Sequence, residues 1–208
     1  MFDGSFEDDR YGSIAFLDGS AAPDPGPRGA ERRRQRSQSG RRIALTDSAA
    51  HVLTDFTWDA PVTVAVDRFI DDALRDMIAA GVRALLVMRG EVVVGLITSY
   101  DIQGERPLQF LDTSGFARHS DIEVGHIMTP WDRVPTVDLP WVSSASVADV
   151  VERFRRTGGS HFMVVEYPEQ GGAFVRGMFS RAEIERHLGQ EVQAPARSLP
   201  DDDVPGAG

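Results

Sequence analysis

Two short stretches carry the residues best suited to hold a ligand, Thr98-Ser99-Tyr100-Asp101 and Ser180-Arg181-Ala182-Glu183. In each, a hydroxyl stands where an apolar, β-prone run gives way to a helical pattern, and an acid follows three residues later. A hydroxyl at that junction points to the same spot as the first free N–H groups of the helix. The spot carries partial positive charge from the helix dipole and suits a phosphate. The carboxylate one turn in can accept two charge-assisted hydrogen bonds from a cis-diol. The same spacing also describes a capping box, in which the hydroxyl serves the N3 amide and the acid reaches back to the cap residue. Glu183 suits that structural role better than an aspartate would, so Thr98 and Asp101 are expected to be the stronger ligand pair.

Other chemistry is closed off by composition. The chain has no cysteine, which removes disulfides, thiolate nucleophiles and zinc sites built on sulfur. All 22 basic residues are arginine, so there is no ε-amine for a Schiff base or a P-loop. His51, His119, His126, His161 and His187 show no metal-ligand spacing, and no metal site is expected. No nucleophile elbow, P-loop, His-Glu-x-x-His or dinucleotide fingerprint is present, so the expectation is a non-enzyme with no catalytic residue and no required cofactor. A net charge of −10 argues against broad nucleic-acid binding. No apolar run reaches the roughly 18 residues of a membrane span, and the start MFDGSFEDDR is acidic where a signal peptide is basic, which predicts a cytoplasmic protein.

The elements that position the two stretches repeat. The first unit, residues 46–116, opens with Pro61 to Val64 and continues into a helical stripe at Ile70, Ala73, Leu74, Met77 and Ile78, stopped by Gly81. Two apolar runs, 84–88 and 92–97, flank the turn Arg89-Gly90-Glu91, and a last helix starts near Thr98. The second unit, residues 117–192, follows the same order: Pro135 to Val137, a stripe at Val147, Val150, Val151 and Phe154, the stop Gly158-Gly159, runs 162–165 and 174–179, and a helix from Ser180 to Leu188. Each unit is β-α-β-β-α, an α/β (α+β) arrangement, and neither is large enough to be comfortable alone. The two are expected to pack through their sheets as a pseudo-two-fold pair. Residues 1–45, rich in Gly, Pro, Ser, Asp and Arg, and residues 193–208 are expected to be disordered tails. The first holds six arginines between Glu31 and Arg42; a solvated tail is the expectation, and an arm for nucleic acid or an acidic partner is the alternative.

Gly95-Leu96-Ile97-Thr98-Ser99-Tyr100-Asp101-Ile102 and Gly177-Met178-Phe179-Ser180-Arg181-Ala182-Glu183-Ile184 both fit the pattern Gly-apolar-apolar-Thr/Ser-x-x-Asp/Glu-Ile at matching places in matching units. With Val124 to Pro130 as an entry to the second unit, residues of roughly 51–190 resemble a tandem pair of CBS domains. The resemblance implies a regulatory module that binds AMP, ADP, ATP or S-adenosylmethionine between the repeats. It implies that Thr98 and Ser180 meet phosphate and that Asp101 and Glu183 meet ribose. Adenine would then lie against Val62, Thr63, Leu85 and Leu86 for one site, and Thr136, Val137 and Met163 for the other. Arg181 and His161 are further candidates near the ligand, each with an ordinary structural alternative, and Arg83 sits near the place of His161 in the first unit. Trp58, Trp131 and Trp141 are expected to pack in the interior. Two functions are expected to compete: an adenosine-ligand sensor acting through an unknown effector protein or a homodimer, and a ligand-free scaffold for docking or dimerisation. Dimer contacts are expected on the exposed faces of helices 67–80 and 145–157.

Overall fold

The structure, a computed structural model, describes residues 14–15, 43–115, 118–169, 172–189 and 191–192. The arginine-rich segment and the C-terminal tail lie outside them. In the first repeat, β3 (Thr63–Ala65) is followed by α1 (Ile70–Ala80), then β4 (Ala84–Arg89), β5 (Val92–Thr98) and the single-turn helix α2 (Ser99–Gln103). In the second, β7 (Thr136–Asp138) leads through α5 (Leu139–Ser144) to α6 (Val147–Thr157), β8 (His161–Glu166), β9 (Ala173–Ser180) and α7 (Arg181–Leu188). Between the repeats run α3 (Arg106–Ser114), α4 (Val124–Ile127) and β6 (Thr129–Pro130).

The two sheets share one plan. β3 lies parallel to β4 and β4 antiparallel to β5; β7 lies parallel to β8 and β8 antiparallel to β9. A register irregularity falls at Val87/Met88 in one and at Val164/Val165 in the other. Ala84 is opposite Thr98, and His161 is opposite Ser180. His161 therefore matches Ala84, and Arg83 matches Ser160. The main helices form where the apolar stripes predict. α1 buries Ile70, Ala73 and Met77, and α6 buries Val147, Val150, Val151 and Phe154. Each ends on a glycine at φ 66°, a left-handed conformation that a side chain disfavours. The start of α6 is held by Ser146 and Asp149 in a reciprocal capping box.

What the linear division into 46–116 and 117–192 misses is an exchange of lead-in segments. β2 (Thr54–Asp55) comes before the first repeat in the chain but pairs with Met178 and Gly177 of β9. Ala49, Val52 and Leu53 lie in the core of the second repeat with Phe154, Phe162 and Phe179. Reciprocally, Ile122, Val124 and Ile127 fill the core of the first repeat with Ile70, Met77 and Leu85, and β6 pairs with Leu96 and Gly95 of β5. Each repeat is thus completed by the chain that enters the other, which ties the two together covalently as well as by packing.

A third apolar cluster lies between the sheets, built from Ala84, Leu86, Val93 and Leu96 on one side and Val134, Met163 and Val175 on the other. This is the expected face-to-face packing. Trp131 packs against it, and Trp141 meets Phe162 and Phe179 edge-on. Trp58 is 72% exposed, against the expectation of burial, because it rides the tip of the tight turn that Asp55 makes with Thr57. The tail expected over 1–45 is also too long. Ile14–Ala15 forms a strand, β1, parallel to Ala173–Phe174, and Ile43 packs on the core of the second repeat.

Arg176 on β9 fastens the exchanged strand. Its Nε and Nη2 donate to the two carboxylate oxygens of Asp55 at 3.0 and 3.1 Å, and its Nη1 donates to Glu166 at 3.1 Å. Burial works to raise the Asp55 carboxyl, but the bonds from Arg176 and Thr57 outweigh it and hold the group below its ordinary value. Arg176→Met is expected to cost about 1.5 kcal/mol, between an exposed and a fully buried pair, read from the midpoint of urea unfolding. An unchanged midpoint would show that the strand is held by packing alone.

Candidate functional site

A cleft of about 680 Å³ opens between the repeats, within the range of small-molecule sites. Ala60, Pro61 and Val62, running into β3, form one wall together with Arg83, Ala84 and Leu86. Thr54, His161, Ser180 and Glu183 face them from the second repeat. The exchange of lead-ins makes this possible, since Thr54 reaches the cleft only because β2 sits on β9.

Of the thirteen residues expected at ligand sites, Val62, Leu86, His161, Ser180 and Glu183 line this cleft. The others lie elsewhere. Leu85 belongs to the core of the first repeat, Val137 to that of the second and Met163 to the layer between the sheets. Side chains alternate along a strand, so the pair Leu85-Leu86 divides between a core and the cleft. Thr63 and Thr136 are not among the lining residues, being paired opposite Leu86 and Met163. Arg181 turns away from the cleft: its Nη2 donates to the carbonyl of Gly159, and its guanidinium lies 5.9 Å above the Phe154 ring.

The two helix starts differ in their hydrogen bonding. At the first, Thr98 is 6% exposed and forms a complete capping box: its N–H and Oγ1 both donate to Asp101 Oδ2 at 2.8 Å, and its Oγ1 accepts from the Asp101 N–H at 3.2 Å. The other carboxylate oxygen, Oδ1, is 3.0 Å from Arg106. Both oxygens of Asp101 have partners within the protein, and neither residue lines the cleft. At the second, the Ser180 hydroxyl makes no cap bond. Glu183 is long enough to reach forward along the helix to Arg186, at 2.6 Å, and His187, at 3.5 Å, and so it does not turn back to the cap. The extra methylene that suited it to a capping box serves an ion pair instead.

His161 is one of two buried titratable groups of the cleft, at 7% exposure beside Asp59 at 5%. Its Nδ1 shares a hydrogen with the Ser160 hydroxyl at 3.0 Å. Burial, with the nearby Arg181 guanidinium adding to it, pushes the imidazole down to about 4, so it is neutral at physiological pH. The cleft residues that the sequence reading lacks include Thr54, Asp59, Ala60, Arg186 and His187. The first three belong to the exchanged lead-in and the stretch after it, whose placement no local pattern shows. Arg186 and His187 follow Glu183 by three and four residues, the spacing of helical ion pairs, and that signal was readable. Among the described residues no group of three or more His, Asp or Glu side chains is placed to hold a metal ion, and no helix is long and apolar enough to cross a membrane.

These features agree with the comparisons. Residues 53–106 match the CBS domain family. No curated protein sequence matches the chain. Among solved structures it is similar in fold to an uncharacterized conserved protein from Pyrococcus horikoshii, at 18% identity over 73% of this chain and 99% of that one, with a TM-score of 0.50. A hemolysin-like protein containing a CBS domain from Oenococcus oeni is 20% identical over 74% of this chain and 96% of that one, at a TM-score of 0.46. CBSX2, solved in complex with AMP, is 22% identical over 67% of this chain and 94% of that one, at a TM-score of 0.46. The chain carries a CBS domain. Residues 136–188 repeat the strand and helix order of that matched segment.

Proposed function

We propose that the chain is a regulatory module that binds an adenosine-containing ligand in the cleft between its repeats and passes the result to a partner protein or to a second copy of itself. The single observation behind this reading is the cleft itself, where a helix start with an unengaged hydroxyl, a neutral buried imidazole and an exposed arginine converge on an apolar floor. The apolar side chains of Val62, Leu86 and Leu96 give a base a surface to lie on, and the Ser180 end supplies polar contacts. Candidate ligands are AMP, ADP, ATP and S-adenosylmethionine. A ligand that touches both repeats stabilises whichever relative packing gives it more contact, which is all a switch requires. No catalytic constellation is needed for such a role.

Calorimetric titration with these four compounds tests the proposal. Saturable binding is expected, abolished by Val62→Trp, which fills the cleft, and retained by Asp101→Asn, which lies outside it. Binding that survives Val62→Trp but is lost in Asp101→Asn would move the site to the first helix start and defeat this assignment. Sedimentation velocity with and without the bound compound reports whether the output is self-association.

One observation favours a second reading, a ligand-free scaffold. Glu183 is ion-paired with Arg186 and lies 3.5 Å from His187, so the acid expected to meet a ribose already has partners. Absence of heat with every adenosine compound, alongside a stable dimer, is the outcome that reading predicts.

A further inference from the structure

The pseudo-two-fold relation between the repeats gives the cleft a mate, built from the equivalent residues. Gly95 and Leu96 of β5 hold the places of Gly177 and Met178 of β9, so Thr129, paired opposite Leu96, matches Thr54, paired opposite Met178. By the same alignment Thr98 matches Ser180 and Asp101 matches Glu183. Thr54, Ser180 and Glu183 form the wall that the second repeat contributes to the cleft. At the mate that wall is different. The Nη1 of Arg106, the first residue of α3, donates to the Thr129 hydroxyl at 3.1 Å and to the Ile127 carbonyl at 2.9 Å, and it lies 3.0 Å from Asp101 Oδ1. One guanidinium thus bridges the counterparts of two residues that line the open cleft. The chain folds back tightly to permit this: the Gly104 N–H donates to the Tyr100 carbonyl at 2.9 Å, and a Cβ on Gly104 would stand 2.5 Å from that oxygen. Among the described residues the second repeat has no counterpart of α3, and Leu188, which follows Glu183 at the interval by which Arg106 follows Asp101, packs on the core.

Resting on the reading of the cleft as an adenosine-ligand site, we infer that Arg106 is a built-in latch that stands in for a ligand at the mate, so that the chain takes up one ligand molecule where its internal symmetry offers two places. A guanidinium can fill that role because it presents several N–H donors to oxygen acceptors, the service that the hydroxyls of a bound ligand would otherwise perform for the carboxylate. The Asp101 side chain is only 13% exposed, and a carboxylate so far removed from water is costly to leave without partners. A ligand entering the mate must displace Arg106 and then satisfy Asp101 and Thr129 itself. No such displacement is needed at the cleft, where the Ser180 hydroxyl makes no cap bond and Glu183 is engaged along its own helix. The two places therefore differ in affinity although their strands and helices match. The Arg106 side chain is 45% exposed, so it can swing into solvent without disturbing the core, and the mate is a second site held in reserve.

Calorimetric titration of the full chain with AMP, ADP, ATP and S-adenosylmethionine reads the number of molecules bound. The natural chain is expected to bind one molecule of whichever compound it takes up, and Arg106→Met, which keeps the stem and removes the guanidinium, is expected to bind two. Filling the cleft separates the two places: Val62→Trp alone is expected to bind none, and Val62→Trp combined with Arg106→Met to regain one. Circular dichroism checks that each variant folds. Should Arg106→Met fail to fold, Arg106→Lys takes its place; it keeps the charge but loses the planar fork, and a second, weaker binding step is then expected. Two molecules on the natural chain, or one molecule whether or not Arg106 is replaced, overturns the latch and leaves the adenosine reading standing. Failure of the natural chain and of every variant to bind any of the four compounds overturns the adenosine reading and the latch with it.

Discussion

Replacing Gly177 with alanine is expected to unfasten β2 from β9 and to cost about 3 kcal/mol, the upper end of what an extra methyl costs in a tightly packed interior. A Cβ at this position would stand 2.4 Å from the Thr54 carbonyl oxygen and 3.0 Å from Leu53 Cδ1. A backbone oxygen in a paired strand cannot swing aside as a flexible side chain can, so the strands must part. The same constraint acts at the equivalent place in the other repeat, where a Cβ on Gly95 would lie 2.5 Å from the Thr129 carbonyl oxygen. These two glycines open the repeated pattern in the sequence, and the structure gives the reason: each lies where the exchanged segment of the other repeat crosses its strand. Gly90→Ala is the control. Its Cβ would meet nothing within 4 Å, and its φ of 61° alone opposes the change, so a cost of about 1 kcal/mol is expected. Urea unfolding of the three variants checks the ranking, and an equal loss at Gly177 and Gly90 would mean that the crossing is looser than its geometry shows.

The distinction between those glycines also marks how far the sequence could be read. Period-3.6 stripes and glycine stops located α1 and α6, and the paired apolar runs located β4, β5, β8 and β9, because burial on one face leaves a local pattern. The exchange of lead-ins left none. Residues 49–55 and 122–130 are short and irregular, and which sheet they complete is decided by contacts far away in the chain. The site suffered from the same gap. Sequence matching favoured ligand contacts at the first helix start over the second, but a hydroxyl and an acid three residues apart are compatible with a closed box or with an open start. The choice depends on third parties. Arg106 engages Asp101 at the first start, and Arg186 and His187 draw Glu183 away from the second. With those partners in place, Thr98 and Asp101 form a complete capping box, and the Ser180 hydroxyl makes no cap bond.

Mild acid is expected to destabilise the fold through His161 in a window where the carboxylates do not yet contribute. The imidazole titrates at about 4 in the folded chain against 6.5 when exposed, because burial and the Arg181 charge disfavour its protonated form. Between those values the unfolded chain takes up a proton that the folded chain refuses, so stability falls as pH drops from about 6.5 and continues to fall until the folded imidazole itself is protonated. At pH 5 the loss is on the order of 2 kcal/mol relative to neutral pH. Asp55 and Asp149 have carboxyls held below 3.8 by their hydrogen-bond donors, and their contributions are lost only at lower pH. His161→Gln keeps a neutral polar side chain at the cleft wall and removes the titration. Urea unfolding at a series of pH values is therefore expected to show a slope for the natural chain between pH 6.5 and 4.5 that is largely absent from the variant. Parallel slopes would mean that the imidazole is solvated in the folded chain and that the cleft wall around it is open to water.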